Sequence, residues 1–252
     1  MPLFITILIL VFGLIGAGCN KVADINQPNN DIINASISNT NADVPIVREE
    51  PVKTEPEKIV VNNEQTHSIK IISVPFTSQA PFANWDMPYQ EACEEASMIM
   101  IEDFSKGIKS QRIEPSEADS RILDLVKWEE NKTYPIDLTA QEVVRVLFER
   151  FGIKARVAPY SANLIRQQIN AGRPIILPAA GRLLGNPNFH QPGPLYHMLV
   201  VKGYEGDEFI TNDPGTRRGE NYRYHFSAFD KAAHDWNGGD VENGEQAIII
   251  LD

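Results

Sequence analysis

The sequence predicts an α+β domain carried behind a polar tether, and three observations support that prediction. Segments with helical periodicity and capping residues fill the first half of the folded region. Runs rich in Val, Ile and Tyr fill the second half. Ahead of both lies a stretch with no sustained apolar period. Helices first and strands later is the order of an α+β domain. The 252 residues, 42% hydrophobic and 23% charged, are enough for one domain of ordinary size with appendages.

The chain opens with "MPLFITILILVFGLIGAGCN", apolar from residue 3 to residue 18 apart from Thr6. That length suits a signal-peptide core and is short for a membrane-spanning helix. The run "IGAGC" resembles a bacterial lipobox, which implies a lipid on Cys19 and a new N-terminus there. An uncleaved membrane anchor and plain secretion remain as alternatives for residues 1–19. Each reading places the domain outside the cytoplasm, and the tethered forms make the membrane a partner through the N-terminal segment. Residues 20–68 are rich in Asn, Asp, Glu, Pro and Thr and poor in aromatics. Such a segment buries too little apolar surface to offset its ordering entropy, so it reads as a disordered tether. A net charge of -11, with no Lys/Arg cluster, excludes nucleic acid as a partner. The same acidity confers solubility and suggests a preference for basic substrates.

The domain begins near Ile69, where "IKIISVPF" reads as a strand. A loop, "TSQAPFANWDMPYQ", leads to a helix over roughly residues 91 to 105. Glu91, Glu94 and Glu95 stand in its first turn, where the helix dipole favours negative charge. The stretch from Ala96 to Phe104 is apolar on nearly every side, which marks a buried helix. "PSEADSRILDLVKWEEN" predicts a second helix capped by Ser116, with Ile122, Leu125, Val126 and Glu129 on one side. "DLTAQEVVRVLFERFG" predicts a third, with Thr139 and Glu142 as a capping box and Gly152 as the stop. "SANLIRQQINAG" predicts a short fourth, from Ser161 to Gly172. Strands follow in "RPIILPAA", "HMLVVKGY", "DEFITND", "NYRYHF" and "EQAIIILD". The long loop "AGRLLGNPNFHQPGPLY" between the first two reads as a wall or lid of a cleft.

The chemistry centres on Cys93. If Cys19 carries a lipid, Cys93 has no disulfide partner. A thiol at a helix N-terminus sits where the dipole stabilises a thiolate, although Glu94 and Glu95 oppose ionisation. A nucleophilic thiol needs a base within reach. Of the five histidines, His197 is the best placed, at the start of a strand directly after the long loop. A three-residue "EGD" turn pairs residue 203 with 209 and residue 199 with 213. Asp213 then shares a face with His197 and can orient its imidazole. A turn of even length puts them on opposite faces; Asn212 is the fallback. The oxyanion of a tetrahedral intermediate needs donors, for which the Cys93 N–H and the side chain of Gln79 or Gln90 qualify. Trp85 reads as core or cleft wall, and His225, Asp230 and His234 fit no metal-ligand spacing.

Three stretches together, "VPFTSQAPFANWDMPYQEACEEASMIM", "YHMLVVKGY" and "FITNDPGTRRGENYRY", resemble the peptidase C39-like family of the papain-like cysteine peptidases, over about residues 69 to 252. That resemblance implies a papain-like fold, with N-terminal helices packed on a C-terminal antiparallel sheet. It implies Cys93 as nucleophile, His197 as base, Asp213 as orienting acid and Gln79 as oxyanion donor. The substrate it implies is a peptide or cell-wall peptide, with no metal or organic cofactor. A catalytically inactive surface binding module of the same fold is the alternative, and acyl transfer to an amine stays open beside hydrolysis.

Overall fold

A computed structural model describes residues 69–252. The expected signal segment with Cys19, the tether and His67 lie outside the described residues. Five helices and an antiparallel sheet of seven strands make up the described chain. The strands are β1 (Ile69–Ile71), β2 (Ala155–Pro159), β3 (Ile175–Ala180), β4 (Tyr196–Glu205), β5 (Glu208–Asn212), β6 (Glu220–His225) and β7 (Ala247–Leu251). They run across the sheet in the order β2-β7-β3-β4-β5-β6. The long strand β4 is shared on its other edge: β3 pairs with its first part, from Tyr196 to Val201, and β1 with Gly203 to Glu205.

Helices cover both faces of the sheet. On one face Ile176, Met198, Val200 and Ile249 pack with α1 (Cys93–Ser105), α2 (Pro115–Asn131) and α3 (Ala140–Phe151). On the other, Ile175, Leu199, Val201 and Ile250 pack with α4 (Ala162–Asn170) and α5 (Phe226–Ala232). Neighbouring residues of one strand thus serve opposite cores, as the pleat dictates. Burial on both faces is why β3, β4 and β7 read as continuous apolar runs without alternation. The α1 helix is buried almost all round, from Cys93 to Ile101, as its lack of a polar face requires.

The capping chemistry of α3 and α4 is as the sequence indicates. Thr139 accepts from the Glu142 N–H while Glu142 reaches back to Thr139, and Gly152 stops the helix at φ 69°. Ser161 accepts from the Leu164 N–H. Other expectations need correction. α2 starts at Pro115 with Glu114 as its N-cap, so Ser116 lies inside the first turn and does not cap; proline tolerates that first position because its missing N–H would have no acceptor. The first strand is shorter than "IKIISVPF": after Ile71 the chain leaves the sheet and is held by single contacts, among them the Phe76–Arg112 bridge. β2 and α5 were not anticipated. β2 is an edge strand, so a terminal proline is harmless there and the usual strand signature is weak.

The β4–β5 hairpin carries the most consequential correction. Its turn is the two-residue Gly206–Asp207, with Glu205 opposite Glu208, and not the three-residue "EGD". Taken alone, that register would put His197 and Asp213 on opposite faces. The register shifts between Val201 and Gly203, where Lys202 is an extra residue in β4. Beyond this bulge Val201 faces Thr211 and Val200 faces Asn212, the register that an odd turn had implied. Lys202 is buried, and burial pushes its ammonium down to about 8 against the opposing pull of Glu220.

Candidate active site

The first residue of α1 and the first residues of β4 meet at one end of the sheet. The Ser97 hydroxyl donates to the Met198 carbonyl at 3.2 Å, which pins the two elements together. A cavity of about 690 Å³ opens there, and Gln79, Cys93 and His197 all line it. Trp85, Phe189 and Gly215 complete much of its wall. The α1 helix offers its dipole at Cys93, and the Cys93 N–H belongs to the first turn, where no intrahelical acceptor exists.

The imidazole half of this site is fully built. His197 Nε2 lies 2.8 Å from Asp213 Oδ1, and both side chains are buried. The Gly215 N–H also donates to Oδ1, at 2.9 Å, while Asn186 Nδ2 donates to Oδ2 at 3.0 Å and the Tyr224 hydroxyl at 2.5 Å. Burial pushes the Asp213 carboxyl up, but the His197 charge and these hydrogen bonds outweigh it and hold it below its ordinary value. Phe189 sets its ring edge-on to the imidazole, 5.2 Å between centroids. Gly215 is required by close approach: a Cβ there would stand 2.7 Å from His197 Cε1 and 2.9 Å from the Phe189 ring. With Nε2 turned to Asp213, Nδ1 is the ring nitrogen left to serve the cavity.

The thiol half is built differently. Cys93 Sγ donates to Glu94 Oε2 at 3.0 Å, and no hydrogen bond joins it to His197. Glu94 Oε1 accepts from the Leu138 N–H at 3.2 Å. Glu94 and Glu95, at 1% and 5% exposure, are not the solvated first-turn acids that their position suggests. Burial, then the Glu94 charge and hydrogen bond, then the Glu95 charge push the thiol well above its ordinary value, and the Met198 N–H pulls weakly the other way. Behind them lie the buried carboxyl groups of Glu95 and Glu129, close enough to act on one another electrostatically. Burial raises Glu95 to about 7, and burial with the Glu95 charge raises Glu129 to about 10.

Gln79 reaches the cavity wall, yet both hydrogens of its amide are engaged. Nε2 donates to the carbonyls of Tyr89 and Gln90, each at 2.9 Å, while the buried Oε1 has no partner. Gln90 also lines the cavity, with its amide on Glu91 at 2.8 Å. Asn212 does not reach His197; its amide ties the carbonyls of Val74 and Pro75 to the end of β5. The long loop forms one side of the cavity through Asn188, Phe189, His190 and Pro192. His225 faces Asp207, Asp230 accepts from Tyr160, and His234 contacts the Gly244 carbonyl; among the described residues no cluster of three such groups could hold a metal.

Sequence reasoning missed Asn186 and Tyr224, the two side chains that grip the far oxygen of Asp213. Tyr224 had a usable signal, since it alternates with Tyr222 along β6. Asn186 sits in an irregular loop, and no local pattern points to its partner 27 residues away.

With this geometry in view, the similarities of the chain become informative. A family described as "Peptidase_C39 like family" matches residues 71–239. The chain belongs to that family. The match spans Gln79, Cys93, His197 and Asp213 together. Among solved structures, the C39-like fold is shared with a crystal structure of a candidate C39-like peptidase from Bacillus anthracis, at 15% identity. The superposition covers 73% of this chain and 98% of that one, with a TM-score of 0.50. At that identity the likeness shows the common fold alone. No curated protein matches the chain.

Proposed function

We propose that this C39-like protein is an extracytoplasmic, membrane-tethered cysteine peptidase or amidase. The observation that carries the reading is the His197–Asp213 pair: a buried imidazole fixed at Nε2 by a four-fold-bonded carboxylate, lining the same cavity as Cys93. Such a carboxylate sets the tautomer and stabilises the imidazolium that catalysis forms. The thiol is held protonated at rest, so its proton passes to His197 Nδ1 as sulfur attacks the carbonyl carbon, and not beforehand. The oxyanion takes hydrogen bonds from the Cys93 N–H and from the Gln79 amide. Collapse breaks the C–N bond, and His197 gives its proton to the leaving amine. Water, deprotonated by His197, then hydrolyses the thioester and restores the thiol. None of these steps calls on a metal or organic cofactor. The substrate is a peptide or a cell-wall peptide, and nucleic acid is not a partner.

A second reading has its own supporting observation. The thiol bonds to Glu94, and burial and two carboxylates disfavour its ionisation. A catalytically inactive surface binding module would leave such a thiol in place as a buried filler. Acyl-enzyme trapping separates the two. The peptidase, mixed with a peptide pool and quenched in acid within milliseconds to seconds, shows added mass on Cys93 that hydroxylamine removes. A binding module retains peptides without any adduct, and that result rejects hydrolysis.

The extracytoplasmic tether is supported by the N-terminal sequence alone. Metabolic labelling with a radioactive fatty acid tests it: label that disappears in a Cys19→Ala variant supports the lipoprotein form, and an unlabelled, soluble full chain contradicts tethering by lipid.

A further inference from the structure

The cavity at Cys93 does not stand alone. Trp85 and Asn188 line it on one side, and the same two residues line a second, larger cavity of about 980 Å³. One flank of that cavity is Thr77 and Ser78, directly before Gln79. The turn from Thr216 to Arg218, three residues after Asp213, also lines it, and the Pro214 carbonyl ties the two segments together by accepting from the Gln79 N–H and the Ser78 hydroxyl. The two cavities thus meet at Trp85 and Asn188.

The charge of the second cavity runs against that of the molecule. The chain carries a net -11, yet this cavity is lined by Arg112, Arg217 and Arg218 against the single carboxylate of Glu114. Arg112 is already engaged: its Nε donates to Glu220 at 2.6 Å, and its guanidinium lies over the Phe76 ring, 5.1 Å from the centroid. Arg217 and Arg218 are exposed, and neither side chain has an ion pair or hydrogen bond among the described residues. Their backbone, by contrast, is fixed. Asp213 accepts from the Gly215 N–H, Thr216 Oγ1 accepts from the Arg218 N–H at 3.2 Å, and the Thr216 carbonyl accepts from the Gly219 N–H at 3.1 Å. Gly219 returns the chain so closely that a Cβ there would lie 1.7 Å from the Asp213 carbonyl oxygen. Two unengaged guanidinium groups are thus held on a rigid turn hung from the carboxylate that orients His197.

We infer that this second cavity is a subsite for acidic residues of the substrate, with Arg217 and Arg218 pairing to side-chain carboxylates on one side of the scissile bond. The inference rests on the peptidase reading and adds its substrate class. Guanidinium groups bind carboxylates through two parallel hydrogen bonds, and an unengaged pair beside a cleft selects for them. A local field of this kind acts independently of net charge.

The test uses dye-labelled peptides of common centre, flanked on either side in turn by Glu, Gln or Lys. Binding to a Cys93→Ala variant of the full chain is measured by anisotropy, and cleavage is measured with the wild type. Glu flanks on one side of the centre should bind about ten-fold tighter than Lys flanks, at a few-fold for each exposed ion pair. That preference should shrink at high salt. The double charge swap R217E/R218E should abolish or invert it, and inversion is a result that misfolding does not produce. Equal binding of Glu and Lys peptides, or an unchanged preference in the double swap, overturns the subsite. Selective binding of Glu peptides without cleavage by the wild type leaves the subsite standing and overturns the peptidase reading.

Discussion

The two halves of the cleft follow opposite electrostatic rules. Around Asp213 the hydrogen bonds outweigh burial: its carboxyl is held below its ordinary range and takes three hydrogen bonds besides that of the imidazole. Around Cys93 the surroundings oppose charge: the thiol is buried, bonded to a carboxyl group and backed by two more. One side of the reaction is preorganised, and the other is restrained. The difference indicates where control of the chemistry lies. On the proposed mechanism, the step that needs assistance is the release of the proton from sulfur.

Removing the prepared half should have the largest effect. His197→Ala is expected to lower kcat/KM by about a thousand- to ten-thousand-fold on any cleaved peptide, and Asp213→Asn to approach that loss through the wrong tautomer. Steady-state assays check both; a loss below ten-fold would mean that the imidazole is not the base. Next comes the oxyanion donor. Gln79→Ala should reduce kcat by about a hundred-fold with little change in KM, as expected for a contact made only in the transition state. A KM effect alone would assign Gln79 to holding the loop at Tyr89 and Gln90.

The restrained half should respond in the other direction. Burial and the Glu95 charge push the Glu94 carboxyl well up, and Glu94→Gln replaces it with an amide that never ionises, so alkylation and turnover should both rise several-fold at the alkaline end of the pH range, where that carboxyl takes up charge. An unchanged rate would show that burial alone restrains Cys93. The smallest effect is on stability. Glu95 and Glu129 are raised in the folded protein, so their protonated forms stabilise the fold fully below the ordinary carboxyl range. That contribution is lost as pH rises through about 7 for Glu95 and about 10 for Glu129. Glu129→Gln should therefore flatten the decline of Tm with alkaline pH and raise stability at pH 8 by about 1–2 kcal/mol. Calorimetry across pH 5 to 9 measures it, and a steeper decline in the variant would rule out electrostatic coupling between Glu95 and Glu129.

How much of this was readable in the sequence depended on whether the signal was local. The α3 caps at Thr139, Glu142 and Gly152 are local chemistry, and the sequence placed them correctly. The strands β3, β4 and β7 are uniform apolar runs and were also found. The pairing of His197 with Asp213 was anticipated through a turn that the structure does not contain. Two departures cancel: the hairpin turn is one residue shorter, and the extra residue Lys202 restores the register. A bulge has little sequence signature, because the inserted residue need not be special. The burial of Glu94 and Glu95 was unreadable for a related reason. First-turn acids are normally solvated, whereas here Leu138 and Glu129, distant in the chain, meet them in the folded protein. Asn186 was missed because its partner is distant in the chain.

The coupling of the two halves is measured directly by the rate at which iodoacetamide alkylates Cys93 at neutral pH, in the wild type and in His197→Ala. If His197 accepts the proton of Cys93 as sulfur attacks, the variant is alkylated at least ten-fold more slowly than the wild type. Equal, slow rates in both proteins would show that thiol and imidazole act separately, and the site would then be no hydrolase.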